Sequence, residues 1–148
     1  MTQVLIAVAV VVVALVVGAL LRRRRVVDAP TQPVFSAPAQ IDRADFADAD
    51  APWLVAVFSS GSCDACGDVV RKANVLACAD VAVVEVEYSA SVALHRKYHV
   101  DAVPIAVVAD QAGVVKASFI GPMSATDLWA AVAEVRYPGS SPEPDLGR

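Results

Sequence analysis

Apolar and polar positions divide the chain into an unbroken apolar run, a proline-rich stretch, a patterned region and a polar end. Residues 4–21, VLIAVAVVVVALVVGALL, carry no charge. As a helix, such a run spans about 27 Å at about 1.5 Å per residue, enough to cross a hydrocarbon core. The patterned region begins with IDRADFADA (41–49), which predicts a short helix starting near Asp42. WLVAVFSS (53–60) is almost continuously apolar, as expected of a strand covered on both faces. After a Ser/Gly turn, Cys66, Val69, Val70, Ala73 and Leu76 fall on one helical stripe. VAVVEVEY (81–88) predicts a second strand, and SASVALHRKYH (89–99) a short helix. PIAVVAD (104–110) and VVKASFI (114–120) predict a hairpin turning at Gly113. Ser124 opens a last helix, with Asp127 three residues on and Leu128, Ala131, Val132 and Val135 as its inner face.

The element order is helix, strand, helix, strand, helix, strand, strand, helix. Strand–helix–strand units predict parallel pairs, and the hairpin predicts an antiparallel one. The expected class is α/β, with a central mixed sheet and helices on both faces.

Composition and charge set the boundaries. The chain has 148 residues and a net charge of −4, and Arg22–Arg25 directly follow the apolar run. A cleaved signal peptide needs a basic segment before its apolar stretch and small residues after it. MTQ (1–3) is a short flank without Lys or Arg, so residues 4–21 are expected to be one uncleaved transmembrane helix. Basic residues beside a span favour the cytoplasm. This places the rest of the chain on the cytoplasmic side, with an extracytoplasmic domain as the alternative. Anionic lipid headgroups suit the arginines, so residues 4–25 are expected to contact lipid. The basic flank and Pro-rich tether cover 22–33, the globular domain 34–136, and a disordered polar tail 137–148. The charge balance argues against nucleic-acid binding by the domain.

Three cysteines do not make a disulfide scaffold. Cys63 and Cys66 have the spacing of a redox couple or of half a metal site. Structural zinc requires about four ligands, and only Cys78, His95 and His99 could complete a set. His95 and His99 are expected to be solvated helix residues. Cys78 lies off the apolar stripe and is expected to be a structural or spare thiol. Trp53 and Trp129 are expected to be packing residues.

Cys63-Asp64-Ala65-Cys66 after a strand, the Tyr98–Pro104 stretch with its Val103-Pro104 pair, and Gly121 before the last helix together resemble thioredoxin over about 100 residues. The resemblance implies a thioredoxin-like fold, here preceded by one transmembrane helix. It implies a membrane-anchored thiol–disulfide oxidoreductase acting on protein disulfides and drawing electrons from a thiol or reductase donor. Cys63, at the first turn of the helix, is the implied nucleophile, since a helix N-terminus favours thiolate. Cys66 is the implied resolving cysteine, and no cofactor is needed beyond the Cys63–Cys66 disulfide. Pro104 is expected to be cis and against the cysteine pair, leaving no room for a metal, and the Val103 backbone to pair with substrate. Many chains keep this fold only to bind partners, so a non-catalytic adaptor is the alternative function; a metal-binding CxxC protein ranks below it.

The chain departs from the thioredoxin pattern in four places. Ser62 replaces the tryptophan before the first cysteine, and Asp64-Ala65 replaces Gly-Pro. Val57 stands where the family has a buried acid, and Glu85 where it has a nearby lysine. Glu85 is then either a strand-edge residue reached by water or the proton acceptor for Cys66.

Overall fold

A computed structural model describes residues 35–140, together with Val17. The predicted anchor (save Val17), the basic flank and tether, and tail residues 141–148 lie outside the described residues. Among the described residues, no helix is long and apolar enough to cross a membrane.

The elements are a 3-10 turn at Arg43–Asp45, β1 (Trp53–Ser59), α1 (Cys66–Asn74), β2 (Val81–Glu87), α2 (Val92–Lys97), β3 (Ile105–Ala109), β4 (Val115–Ile120) and α3 (Ala125–Arg136). They form a four-stranded sheet in the order β2-β1-β3-β4. β1 pairs parallel with β2 and antiparallel with β3, and β3 pairs antiparallel with β4.

β1 up to its last residue, Ser59, and β3 throughout are apolar because they are central strands with both faces covered. Leu54, Ala56 and Phe58 of β1 join Ile41, Phe46, Tyr98 and Val100 in one core layer. Val55 and Val57 face the other way, onto Val69 and Ala73 of α1 and Leu128 and Val132 of α3. The expected mixed sheet with helices on both faces is thus present. Val135 is only partly buried, at the edge of that second layer.

Two expectations are corrected. The helix predicted over 41–49 is only the three-residue 3-10 turn. Asp42 caps it by accepting from the Ala44 N–H at 3.1 Å, and Asp48 then takes a positive φ, which an α-helix does not accommodate. Buried Arg43 ties the segment down by donating to the carbonyls of Ala51 (2.8 Å) and Asp110 (2.9 Å). The unit β2–α2–β3 is not parallel. α2 has six residues, about 9 Å of helix, against roughly 23 Å for the seven-residue β2. The helix therefore does not carry the chain back to the start of β2. Instead β3 begins beside the end of β1, with Ile105 opposite Phe58.

At the β3–β4 hairpin Gly113 has φ +78° and donates its N–H to Asp110 O. A Cβ there would fall 2.0 Å from the Ile41 carbonyl oxygen, so the turn requires glycine.

Candidate active site

β1 ends at Ser59 and β3 starts at Ile105 in antiparallel register, so one end of the sheet gathers two loops. The first is the turn 60–65 leading into α1. The second is the segment ending in Val103-Pro104, whose peptide bond is cis, as expected from the resemblance. Pro104 is buried, Val103 is partly buried, and the Pro104 carbonyl accepts from the Gly121 N–H at 2.8 Å.

The 60–65 turn is held from within and from outside. The Cys63 N–H donates to Ser60 O at 3.0 Å, and the hydroxyls of Ser60 and Ser62 are 3.1 Å apart. The Gly61 N–H donates to the Glu87 carboxylate at 3.2 Å. Glu87 also accepts from the Ser89 hydroxyl (2.6 Å) and the Ala90 N–H (3.0 Å). These donors favour the charged form, the Ser89 hydroxyl most, and push the Glu87 carboxyl down to about 2.

Cys63 and Cys66 are joined as a disulfide, with Cα atoms 5.4 Å apart. α1 begins at Cys66, so Cys63 sits in the turn before it and not in the first helical turn. The DAC segment leaves the helix without a capping side chain: Ala65 is the N-cap and makes no such bond. The sulfurs nevertheless meet at the N-terminus of α1, because Cys66 is its first residue. First-turn N–H groups and the helix dipole favour negative charge there. Cys66 is buried while Cys63 is partly exposed, the arrangement expected of resolving and attacking thiols.

Glu85 pairs with Val57 across the β1–β2 ladder and so points to the α1 face of the sheet. It is exposed, since β2 is an edge strand, and it accepts from the Ser59 hydroxyl at 2.6 Å. Ser59 is itself buried, one residue before the turn that carries the cysteines. Val57 is fully buried and apolar at the site of the family's acid. Across the ladder from Val57, the acid on this face is Glu85.

The structure moves His95 from its expected place. His95 is not solvated: it is 2% exposed, with Nε2 2.9 Å from the Val86 carbonyl oxygen. Its neighbours at helical spacing explain this, because Tyr98 three residues on is buried and turns the same face inward. Trp129 lies at the surface, 40% exposed, and donates its indole N–H to Lys72 O of α1. His99 is exposed, Trp53 packs against the second core layer, and Cys78 is an exposed free thiol away from the pair.

Sequence reasoning missed Glu87, Ser59 and the inward face of His95. Only the His95–Tyr98 spacing carried a local signal. The other two contacts join residues 26 positions apart.

Solved structures share this architecture. A point variant of a thioredoxin from Halobacterium salinarum NRC-1 matches with a TM-score of 0.54 and 21% identity, over 68% of this chain and 95% of that one. A thioredoxin-fold protein from Helicobacter pylori matches with a TM-score of 0.51 and 16% identity, over 71% of this chain and 91% of that one. The chain therefore has the thioredoxin fold. No family model and no curated protein matches it.

Proposed function

We propose that this chain is a membrane-anchored thiol–disulfide oxidoreductase that reduces protein disulfides through Cys63 and Cys66. The observation that carries this is the Cys63–Cys66 disulfide at the N-terminus of α1, with Cys63 reachable and Cys66 buried.

In the reduced chain, the Cys63 thiolate attacks one sulfur of a substrate disulfide. That bond breaks, a Cys63–substrate disulfide forms, and the first substrate thiolate leaves and takes up a proton. Cys66 then loses its proton and attacks the Cys63 sulfur. The Cys63–Cys66 disulfide forms and the second substrate thiol departs. Two electrons pass from the pair to the substrate, and a thiol or reductase donor returns them to the chain. Glu85 is assigned as acceptor of the Cys66 proton, because it is the carboxylate that shares the α1 face next to Ser59. The Val103 backbone, beside Pro104 at the same end of the sheet, pairs with the extended substrate segment.

The anchor over 4–21 and the lipid contact over 4–25 hold the domain at the membrane, on its cytoplasmic side. The test of activity is turnover of insulin disulfides by the full chain with dithiothreitol as donor. Turnover lost in Cys63→Ser supports the assignment. A native chain that reduces neither insulin nor a small aryl disulfide supports the adaptor alternative instead.

A further inference from the structure

Between the two loops of the site lies a cavity of about 240 Å³, with Ser60, Tyr88, Val100, Asp101 and Val103 in its wall. Ser60 leads into the turn that carries Cys63, and Val103 precedes Pro104. A substrate segment that reaches Cys63 and pairs with the Val103 backbone lies beside this cavity. Its volume is below the roughly 300 Å³ at which pockets begin to hold cofactor-sized molecules, and it suits one side chain.

Two exposed residues of the wall recognise the same chemistry. Asp101 is exposed, and its carboxylate takes part in no ion pair or hydrogen bond among the described residues. Tyr88 is 48% exposed, and its ring rests against buried His95 with centroids 5.1 Å apart. A carboxylate without a partner attracts a cation, and so does an aromatic face. Val100 and Val103 offer apolar surface to the aliphatic stem that carries a basic head. The surroundings have the same sign. The loops at this end of the sheet, 60–65, 88–91, 100–104 and 121–124, hold Asp64 and Asp101 and no lysine or arginine. Glu87, which accepts from the Gly61 N–H, adds a third carboxylate. The local field therefore favours positively charged ligands. Among basic side chains arginine fits both features of the wall, because its planar guanidinium stacks on a ring and forks onto a carboxylate.

We infer that this cavity takes an arginine side chain of the substrate, next to the attacked cystine. The guanidinium closes on the Tyr88 ring and pairs with the Asp101 carboxylate. The inference rests on the disulfide-reductase reading and gives that reading a substrate class, disulfides flanked by basic residues.

The test uses the full chain with dithiothreitol and disulfide-bonded peptides of one sequence. They carry arginine, or its neutral isostere citrulline, directly before or directly after the half-cystine. Each rate is referred to that with dithiothreitol alone, because a cation beside a cystine speeds attack by any thiolate. The expected result is kcat/KM about tenfold higher for arginine at one of the two positions, equivalent to about 1.4 kcal/mol. Asp101→Asn, a substitution at the surface, should bring that ratio to about one. Tyr88→Leu should lower it roughly threefold. A native ratio near one at both positions overturns the inference and leaves the reductase reading standing. A tenfold ratio that persists in Asp101→Asn also overturns it, since the charge preference then comes from the wider acidic surface. A ratio unchanged in Tyr88→Leu overturns the seat against the ring. Turnover of neither peptide removes this inference and the reductase reading together.

Discussion

The Gly61 N–H donates to the Glu87 carboxylate at 3.2 Å, so the turn that carries Cys63 is pinned to the end of β2. Glu87 is held down to about 2 by its donors, the Ser89 hydroxyl first. A depressed carboxyl stabilises the fold above its unfolded pKa, near 4.5, and that contribution is lost as pH falls toward about 2. Glu87→Ala should therefore lower the thermal midpoint relative to the native chain above pH 5, with the gap closing toward pH 2. A gap that stays constant from pH 2 to pH 7 would remove this role.

The cysteines should divide their work by exposure. Cys66→Ser should accumulate mixed disulfides with substrate, and Cys63→Ser none, read as mass shifts on non-reducing gels. In the reduced native chain, mild alkylation should label Cys63 before Cys66. Faster labelling of Cys66 would reverse the assignment.

Glu85 should act after the first attack. Glu85→Gln should slow release of the second substrate thiol about tenfold or more, within the range of general-base effects. Formation of the mixed disulfide should change little. Ser59→Ala removes the hydroxyl that orients Glu85 and should slow the same step less. Stopped-flow measurement of both steps separates the cases. Equal slowing of both steps, or of neither, would take Glu85 out of the mechanism.

Gly113→Ala tests the hairpin. The positive φ and the 2.0 Å approach to Ile41 O leave no room for a methyl group. Strain of this kind costs about 2 kcal/mol. In a domain of this size that lowers the midpoint by roughly 8–16 °C. A variant within about 2 °C of the native midpoint would show that the turn relaxes freely.

The orientation proposed for the anchor rests on Arg22–Arg25, which are costly to carry across a bilayer. A thiol reagent that cannot cross membranes, applied to briefly reduced intact cells, should leave Cys63 unlabelled until lysis. Labelling without lysis would place the domain outside and change the class of electron donor.

The sequence by itself determined the elements whose pattern has one physical solution. The unbroken apolar runs of β1 and β3 mark strands covered twice. The cysteine spacing at a strand end, with Val103-Pro104 downstream, carried the resemblance and pointed to the candidate site. Local chemistry set the capped start of α3 at Ser124, whose hydroxyl accepts from the Asp127 N–H at 3.0 Å. Tertiary structure decided what depends on distant residues meeting. β3 runs antiparallel to β1 because α2 is too short to return the chain, a matter of lengths in space. Glu85 reads as a charge set among apolar strand residues until β1 brings Ser59 to it. His95 reads as a surface residue until Phe58 and the Val86 carbonyl close over it. Glu87 holds the cysteine turn only because β1 and β2 end side by side. Periodicity reports which face of an element is apolar, but hydrogen bonds between elements depend on register, and register is set only when the whole sheet is packed.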